Sequence, residues 1–476
     1  MSIELTTTRV LGLSDTEEQD LRALSKTWRR VRSRNATRWI YDQGEQGIKD
    51  LGIALPPDLL AKVRFMLGWP RLAVRKPAMR SQLEGFRGPD GEDPFDMGAI
   101  LAANNFGLAW SQAVHAAGVY GCAFMTVAAG DTTAGDPPVQ IMVHDAENAA
   151  ALWDRRSRRI KAGMTISETD REGNPSSVTL WTADAVIVLE CTAGDWRVIE
   201  RQAHGLGRPL MVPITHQPTV RRPFGRSRIN NVVMGLTDMA VRTYLRMEGN
   251  AEFYSAPQLA VLGADNKTFK AMGRDEKFKL AVDRILGFTK DADGDIPSLT
   301  QLQQASMLPH SDMLRTIASA FAGETSVPLN SLGIVTDQPA SAEAIRAAEH
   351  DLLIDVMHEN KLVLGPAAVQ VLNLAVMGRD KLKAPPPDAW RVSAVFADPE
   401  FRSTTARADG VVKIASVWDQ VKASEVLLGE LFDQDTVRAV LDEERNRAGQ
   451  ETLRQLLTGT PPTEAPPEPQ EAPTQA

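Results

Sequence analysis

Residues Pro223–Gly263, PFGRSRINNVVMGLTDMAVRTYLRMEGNAEFYSAPQLAVLG, constrain this chain more than any other stretch. Apolar side chains recur at Ile229, Val233, Leu236, Ala240, Tyr244, Met247, Ala251 and Tyr254, spacings of three and four that define one helical face. Gly225 precedes the run, Ser227 is placed to cap it, and Pro257 ends it. At ~1.5 Å rise per residue such a helix spans about 40 Å. Its other face alternates Arg242, Arg246, Glu248 and Glu252, and past Pro257 the chain turns into a strand-like QLAVLG. A long helix with two unlike faces, running straight into a small β element, fits a rod-like structural part better than a pocket wall.

The chain has 476 residues, enough for several domains with sizeable cores. It carries 53 Lys plus Arg against 61 Asp plus Glu, a net charge of −8, which argues against a protein that wraps and grips DNA non-specifically. Two cysteines, Cys122 and Cys191, exclude a disulfide scaffold and fit a reducing cytosol. MSIELTTTRV lacks the charged-then-apolar pattern of a signal peptide. The apolar runs 112–130 and 362–378 are interrupted by His115, or by Pro366, Gln370 and Asn373, and predict no membrane span. A soluble cytosolic product is expected.

Ser14-Asp-Thr-Glu17 has capping-box spacing and predicts a helix with Leu21, Leu24, Trp28 and Val31 on one side. Arg22, Lys26, Arg29, Arg30, Arg32, Arg34 and Arg38 crowd the other. They fit either an acidic partner or DNA phosphates, or a solvated face at a domain boundary, and the solvated face is favoured. A helix is predicted at 96–117 and a strand at 123–128. From about 120 to 215 short β segments follow (139–144, 178–181, 185–190, 196–202), parted by turns such as Glu172-Gly-Asn-Pro175. They predict an antiparallel meander in an α+β, mostly helical fold. Arg155-Arg-Ser-Arg-Arg-Ile-Lys161 reads as a basic connecting segment at a solvated edge.

After the long helix, 258–304 reads as a compact β-containing insertion. A second helix is expected at 311–322 with Leu314, Ile317 and Phe321 inward, then a loop over Val327–Ala340. Ser341 opens a helix that runs through His358 and breaks at Gly365-Pro366. Residues 403–457 read as helical, and the Pro- and Glu-rich end as a disordered tail.

The chemistry of an active site is hard to find. No phosphate-cradling glycine loop follows a strand, and His358-Glu359 lacks the second histidine of a zinc-protease helix. Gly225-Arg-Ser227 lacks the closing glycine of a hydrolase elbow, and no Cys/His spacing suggests zinc. Asp291, Asp293 and Asp295 resemble half of a calcium loop, but Ile296 replaces its glycine and Leu302 its bidentate glutamate. No catalytic residue, metal ligand or cofactor is therefore assigned. Glu343, Asp351, Asp355 and Glu359 form an acidic stripe at multiples of four. It reads as a solvated face, or as a surface that faces a polyanion without adhering to it.

Taken together, Tyr41-Asp-Gln-Gly44, Gly68-Trp69-Pro70, Trp153-Asp154, Gly225-Arg-Ser-Arg-Ile229 and Asp238 resemble the portal proteins of tailed bacteriophages, the branch of long-tailed, non-contractile phages. The resemblance continues through Glu252-Phe-Tyr-Ser-Ala-Pro257, Leu262-Gly263, Pro328, Leu332-Gly333 and Pro339-Ala-Ser341-Ala-Glu343-Ala344-Ile345, and covers about residues 20–455. It departs after Trp-Pro, where the family usually has Val-Val-Asp and this chain has Arg71-Leu-Ala-Val74.

The resemblance implies a ring, usually of twelve subunits, at one capsid vertex of the virion, assembled in the host cytoplasm. It implies an N-terminal wing over 1–225, with antiparallel strands in 120–215, and a wing/stem helix over 226–255. A clip over 256–305, a second stem helix over 306–326 and a tunnel loop over 327–340 would follow. A wing return helix over 341–402, a crown over 403–457 and the tail over 458–476 would complete the chain. Implied partners are double-stranded DNA sliding through the channel, the terminase large subunit, a head–tail adaptor, and major capsid and scaffolding proteins, with no membrane. On that scheme Thr336, Asp337 and Gln338 face DNA, and Arg242, Arg246, Glu248 and Arg315 belong to the stem. Lys267, Lys270, Arg274 and Lys277 engage partners at the clip, and the portal is not an enzyme. The alternative is a metal-dependent DNA-processing enzyme or accessory factor using Asp291, Asp293 and Asp295.

Overall fold

In the computed structural model the chain divides into two units, Met1–Pro399 and Glu400–Ala476. The structure describes residues 10–48, 66–89, 93–192, 194–255, 259–262, 298–301, 306–334 and 342–400. Of the second unit it describes only a few helical positions, among them Lys413 and Val437. The account below is of the first unit.

Helix α1 (Asp15–Gln43) opens on the expected capping box, with Ser14 N–H donating to Glu17 at 2.8 Å and Glu17 N–H to the Ser14 hydroxyl at 3.4 Å. Its inward residues Leu21, Leu24 and Trp28 pack on a five-stranded sheet. The opposite face is mostly exposed, as expected, with a few of its arginines engaged. Arg22 pairs with Glu18 at 2.6 Å, Arg32 reaches the Gly173 carbonyl at 3.0 Å, and Arg38 reaches the Tyr120 carbonyl at 2.8 Å. Only Arg32 and Arg38 of these three reach other elements of the fold, and most of the basic face is solvated.

Helix α2 (Trp69–Ala78) and strand β1 (Leu83–Arg87) follow, then helices α3 (Gly98–Ala103) and α4 (Phe106–Tyr120). The single helix predicted over 96–117 is therefore split. Asn105 takes a left-handed φ of 48°, and Asn104 donates to the Val139 carbonyl while accepting from Ile141 N–H, both bonds tying it to the strand at Val139–Asp145. Tertiary hydrogen bonds outweigh helix continuation there.

Strands β2 (Cys122–Ala129) and β3 (Val139–Asp145) pair antiparallel, and β2 pairs on its other edge with β9 (Met211–Thr215). Between them β4 (Ala149–Asp154), β5 (Arg159–Thr169), β6 (Pro175–Trp181), β7 (Ala185–Thr192) and β8 (Asp195–Ala203) form the five-stranded sheet in sequence order. This is the expected antiparallel meander; over 122–215 there are three strands more than predicted, β4, β5 and β9, and the predicted strand at 139–144 belongs to the other sheet. The segment read as a connection is in fact the β4–β5 hairpin, its turn at 155–158 and its Arg159-Ile-Lys161 already in β5. Along β2 the faces alternate as a two-sided strand requires. Ala123, Met125 and Val127 pack with residues of α4 and of a later helix, Gly365–Asp380, whereas Phe124 packs with Ala149, Ala151 and Met211.

Helix α5 (Asn231–Ser255) ends two residues before Pro257, as expected. Strands β10 (Leu259–Leu262) and β11 (Ser298–Gln301) then pair antiparallel, so the chain leaves and re-enters at adjacent strands. Helix α6 (Leu308–Thr325) returns antiparallel to α5. Asn230 donates to Glu324 at 2.7 Å at one end, and Asn250 approaches the Met307 sulfur at 3.1 Å at the other. Val233, Ala240, Leu314, Ile317 and Phe321 fill the seam between them. Away from the seam Val232, Met239, Leu308 and Met313 are exposed.

Helix α7 (Ala342–Glu359) does not break at Gly365-Pro366. It passes through a π-helical turn, Asn360–Leu364, into α8 (Gly365–Asp380). The Gly365 N–H reaches the Asn360 carbonyl, and the wider turn accommodates a proline that would kink a regular helix. A Cβ on Gly365 would lie 2.9 Å from that carbonyl, so glycine suits the position. The run Ala347–Asp380 is apolar and long enough to cross a membrane by composition, yet 56% of its apolar window is buried inside the fold. Strand β12 (Ser393–Phe396) pairs with β1.

Candidate functional site

The segment leading into α5 fixes the long helix to the rest of the unit. Gly225 has φ +70°, and a Cβ there would stand 2.2 Å from the His216 carbonyl oxygen and 2.7 Å from that of Gly121. Glycine alone permits this approach. Arg226 N–H donates to His216 at 2.8 Å, and Arg228 N–H to the Gly118 carbonyl at 2.8 Å. Ser227 does not cap the helix, contrary to expectation. Its buried hydroxyl donates to the Val119 carbonyl and accepts from Ile229 N–H at 2.9 Å, so it is consumed by the α4–β2 corner. Asn230 caps instead, its Oδ1 accepting from Val232 and Val233 N–H at 2.8 and 2.9 Å, which shifts the helix start to Asn231.

Stitched in this way, three ionisable side chains meet away from water. Glu359, the last residue of α7, accepts from His216 Nδ1 at 2.5 Å and pairs with Arg228 at 3.4 Å. Burial pushes the His216 pKa down, overriding the opposing pull of Glu359. Burial alone would push the Glu359 carboxyl up, but the His216 hydrogen bond and the His216 and Arg228 charges reverse that and hold it below its usual value. Burial also lowers Arg228, which nonetheless stays charged, as guanidinium does in proteins. A Glu359 carboxylate thus sits between the His216 ring and the Arg228 guanidinium. The π turn begins at the next residue, and Asn360 there buries an Oδ1 that has no partner among the described residues.

Several residues that carry the family resemblance bolt this region together. Tyr41 hydroxyl donates to Asp238 at 2.7 Å, fixing α1 to α5. Trp69 Nε1 donates to the Leu332 carbonyl at 3.2 Å, and its ring meets Phe321 with centroids 5.3 Å apart. Trp153 stands edge-on to Phe224 at 5.7 Å. Arg71, at the family departure, donates to the Asp42 and Gln43 carbonyls at 2.9 Å each. These contacts position elements; they contain no arrangement of nucleophile and base.

The other residues singled out by sequence are scattered. Arg242 and Arg246 are half-buried on α5, Glu248 is exposed there, and Arg315 is exposed on α6. In the acidic stripe Asp351 is exposed and Asp355 accepts from the Ser326 hydroxyl at 2.7 Å. Glu359 is not part of a solvated face but turns into the buried cluster. Sequence reasoning missed His216 and Arg228 as its partners; the one available signal was an arginine inside the Gly225–Ile229 motif. Thr336, Asp337 and Gln338 lie outside the described residues, as do Lys267, Lys270, Arg274 and Lys277, Asp291, Asp293 and Asp295, and the side chain of Glu343. Among the described residues no group of three or more His, Cys, Asp or Glu could hold a metal ion.

No protein-family model matches the chain. The chain is similar over nearly its whole length to the portal protein of Mycobacterium phage L5, at 29% identity over 457 residues, 91% of each chain. It is also 29% identical over 390 residues to the portal protein of Mycobacterium phage D29, 79% of this chain and 77% of that one. Among solved structures it is similar to a chain in the neck of a native GTA particle computed with C12 symmetry. That likeness has 12% identity and a TM-score of 0.41, covering 80% of this chain and 93% of the other. A chain in the virion of a native gene transfer agent particle has 14% identity and a TM-score of 0.38, covering 90% and 99%.

Proposed function

We infer that this chain is a portal protein of a tailed bacteriophage, part of the virion, built into the capsid vertex through which DNA is packaged and ejected. One observation carries the assignment. The similarity to the phage L5 portal protein spans 91% of both chains, so no large part of either is left over for another activity. The fixing of α5 by residues of the resemblance itself supports it.

The subunits form a ring, twelve in number in the usual arrangement of the family. Two antiparallel helices that leave Val232, Met239, Leu308 and Met313 exposed support a stem whose bare side is covered by neighbouring copies. The strand pair β10–β11 supports an insertion, 256–305, that protrudes as a clip and receives the terminase large subunit and later the head–tail adaptor. Residues 1–225 and 341–402 make the wing, and 403–457 the crown. Capsid and scaffolding proteins meet the ring during assembly in the host cytoplasm. DNA passes without being held, because a wall that bound phosphates tightly would release counterions and stall movement, and a net charge of −8 avoids this. The chain does no covalent chemistry in this scheme; hydrolysis belongs to the motor.

Negative-stain images of the purified full chain are expected to show rings with a central hole, and monomers at every concentration would defeat the reading. A second experiment addresses the parts. Phage carrying a portal that lacks residues 334–339 is expected to assemble heads but lose packaged DNA. With Lys267, Lys270, Arg274 and Lys277 all changed to alanine, heads should remain empty for want of terminase docking. Normal yields of filled heads from either phage would remove the corresponding residues from these roles.

A further inference from the structure

The basic cluster that sequence reading left at a solvated edge forms one wall of a cavity. Asp154 closes the β4–β5 turn on itself, accepting from Arg156 N–H at 3.0 Å and from the Ser157 hydroxyl at 2.7 Å. The cavity, about 750 Å³, lies between this hairpin, residues 208–223, and the π turn with the start of α8. Arg155, Arg158, Arg159 and Arg208 line it, and no aspartate or glutamate does. Among the described residues no carboxylate pairs with any of the four.

Arg155, Arg158 and Arg159 are exposed at its mouth, and Arg208 is half-buried. Burial lowers the Arg208 pKa, and the Arg159 charge lowers it further, so two guanidinium groups crowd each other without a counter-ion. The same cavity is also lined by Trp153, Pro213, Val363 and Leu374, together with Asn373, whose buried Oδ1 has no partner among the described residues. The lining thus combines guanidinium groups, forked for oxyanions, with apolar surface and an unfilled acceptor. The volume is that of an ordinary small-ligand pocket, roughly 300–1,000 Å³.

A single carboxylate would neutralise one arginine and leave the rest. A phosphate group, doubly charged with several acceptor oxygens, can take two guanidinium forks at once. We propose that this cavity binds a phosphate-bearing ligand of nucleotide size, gripped by Arg159 and Arg208, with Arg155 and Arg158 drawing the anion in. The phosphate comes either from a free nucleotide or polyphosphate or from the backbone of DNA. Nothing in this inference depends on the portal assignment.

The full chain is incubated with pyrophosphate or with a short duplex DNA at matched ionic strength, then labelled with phenylglyoxal, and each arginine is read by peptide mass spectrometry. Ligand is expected to slow labelling of Arg159 and Arg208 by about fivefold or more, as occupied guanidinium forks require. Arg156, in the same turn but outside the cavity, should label at its unliganded rate. In calorimetry the double variant Arg159→Ala, Arg208→Ala should bind pyrophosphate about tenfold more weakly or worse, and Arg156→Ala normally. Protection by pyrophosphate assigns a free ligand as the source, and protection by duplex alone assigns the DNA backbone. Protection by neither probe, or equal protection of Arg156, overturns the proposal. The labelling arm uses the unaltered protein, so a double variant that fails to fold leaves the test intact.

Discussion

Replacing Glu359 by glutamine is expected to destabilise the first unit by about 3–5 kcal/mol, the usual cost of removing one partner from a buried ion pair. The glutamine would leave the Arg228 cation, itself buried, with no carboxylate at 3.4 Å, and would weaken the 2.5 Å bond from His216. Chemical denaturation of wild type and variant at neutral pH measures the difference. Adding Arg228→Met should recover part of the loss, because the cost comes from an unpaired charge rather than from a missing attraction. A variant within about 1 kcal/mol of wild type would mean the cluster is wet, as exposed pairs are.

The same substitution has a pH signature. Glu359 titrates below its ordinary 4.5 in the folded chain, so its contribution is complete above about pH 4.5 and is lost as pH falls through the folded value. The gap between wild type and Glu359→Gln should therefore be widest near neutrality and shrink in acid. His216 acts at higher pH. Its folded pKa lies below the ordinary 6.5, so the unfolded chain takes up that proton first and stability declines as pH falls below about 6.5. That decline should persist in the variant, which still carries the histidine.

Phe321→Ala is the second large effect, with an expected cost of about 3–5 kcal/mol for a buried aromatic truncated to alanine. Phe321 is fully buried between α5 and α6, against Trp69 and near Leu332. Its loss opens a cavity at the seam and loosens the packing around Trp69 and Leu332. Denaturation should show the cost, and amide exchange should quicken in α6 and around Leu332 before the five-stranded sheet. Uniform acceleration across both regions would argue that the seam and sheet unfold as one body.

The parts of this fold that periodicity controls were legible in the sequence. Helix α5, the inward Leu314, Ile317 and Phe321 of α6, and the capping box at Ser14 follow from local spacing and local hydrogen bonds. Strands β4 and β5 were not legible, because Ala149-Ala-Ala151 has little β preference and an arginine cluster reads as a turn. The split at Asn104-Asn105 depends on bonds to β3, and the π turn on a carbonyl approach that only the fold creates. Glu359 illustrates the limit most clearly. Its spacing from Asp355 matches a solvated stripe, while its partners lie 143 and 131 residues away. Spacing within one helix carries no information about which end of a stripe another segment will cover. The marks of family resemblance fared better, since Tyr41 with Asp238 and Trp69 with Leu332 are contacts across the chain.

The pairing of β10 with β11 has a mechanical consequence. Leu259 lies opposite Gln301 and Leu262 opposite Ser298, so the piece of chain between them is tethered through two adjacent antiparallel strands. A tug on that piece would load both tethers together, and the cross-strand bonds would resist any slip of one past the other. Each strand continues toward a different helix, α5 on one side and α6 on the other. The two ends of that piece, at Leu262 and Ser298, are therefore held side by side as one clamp.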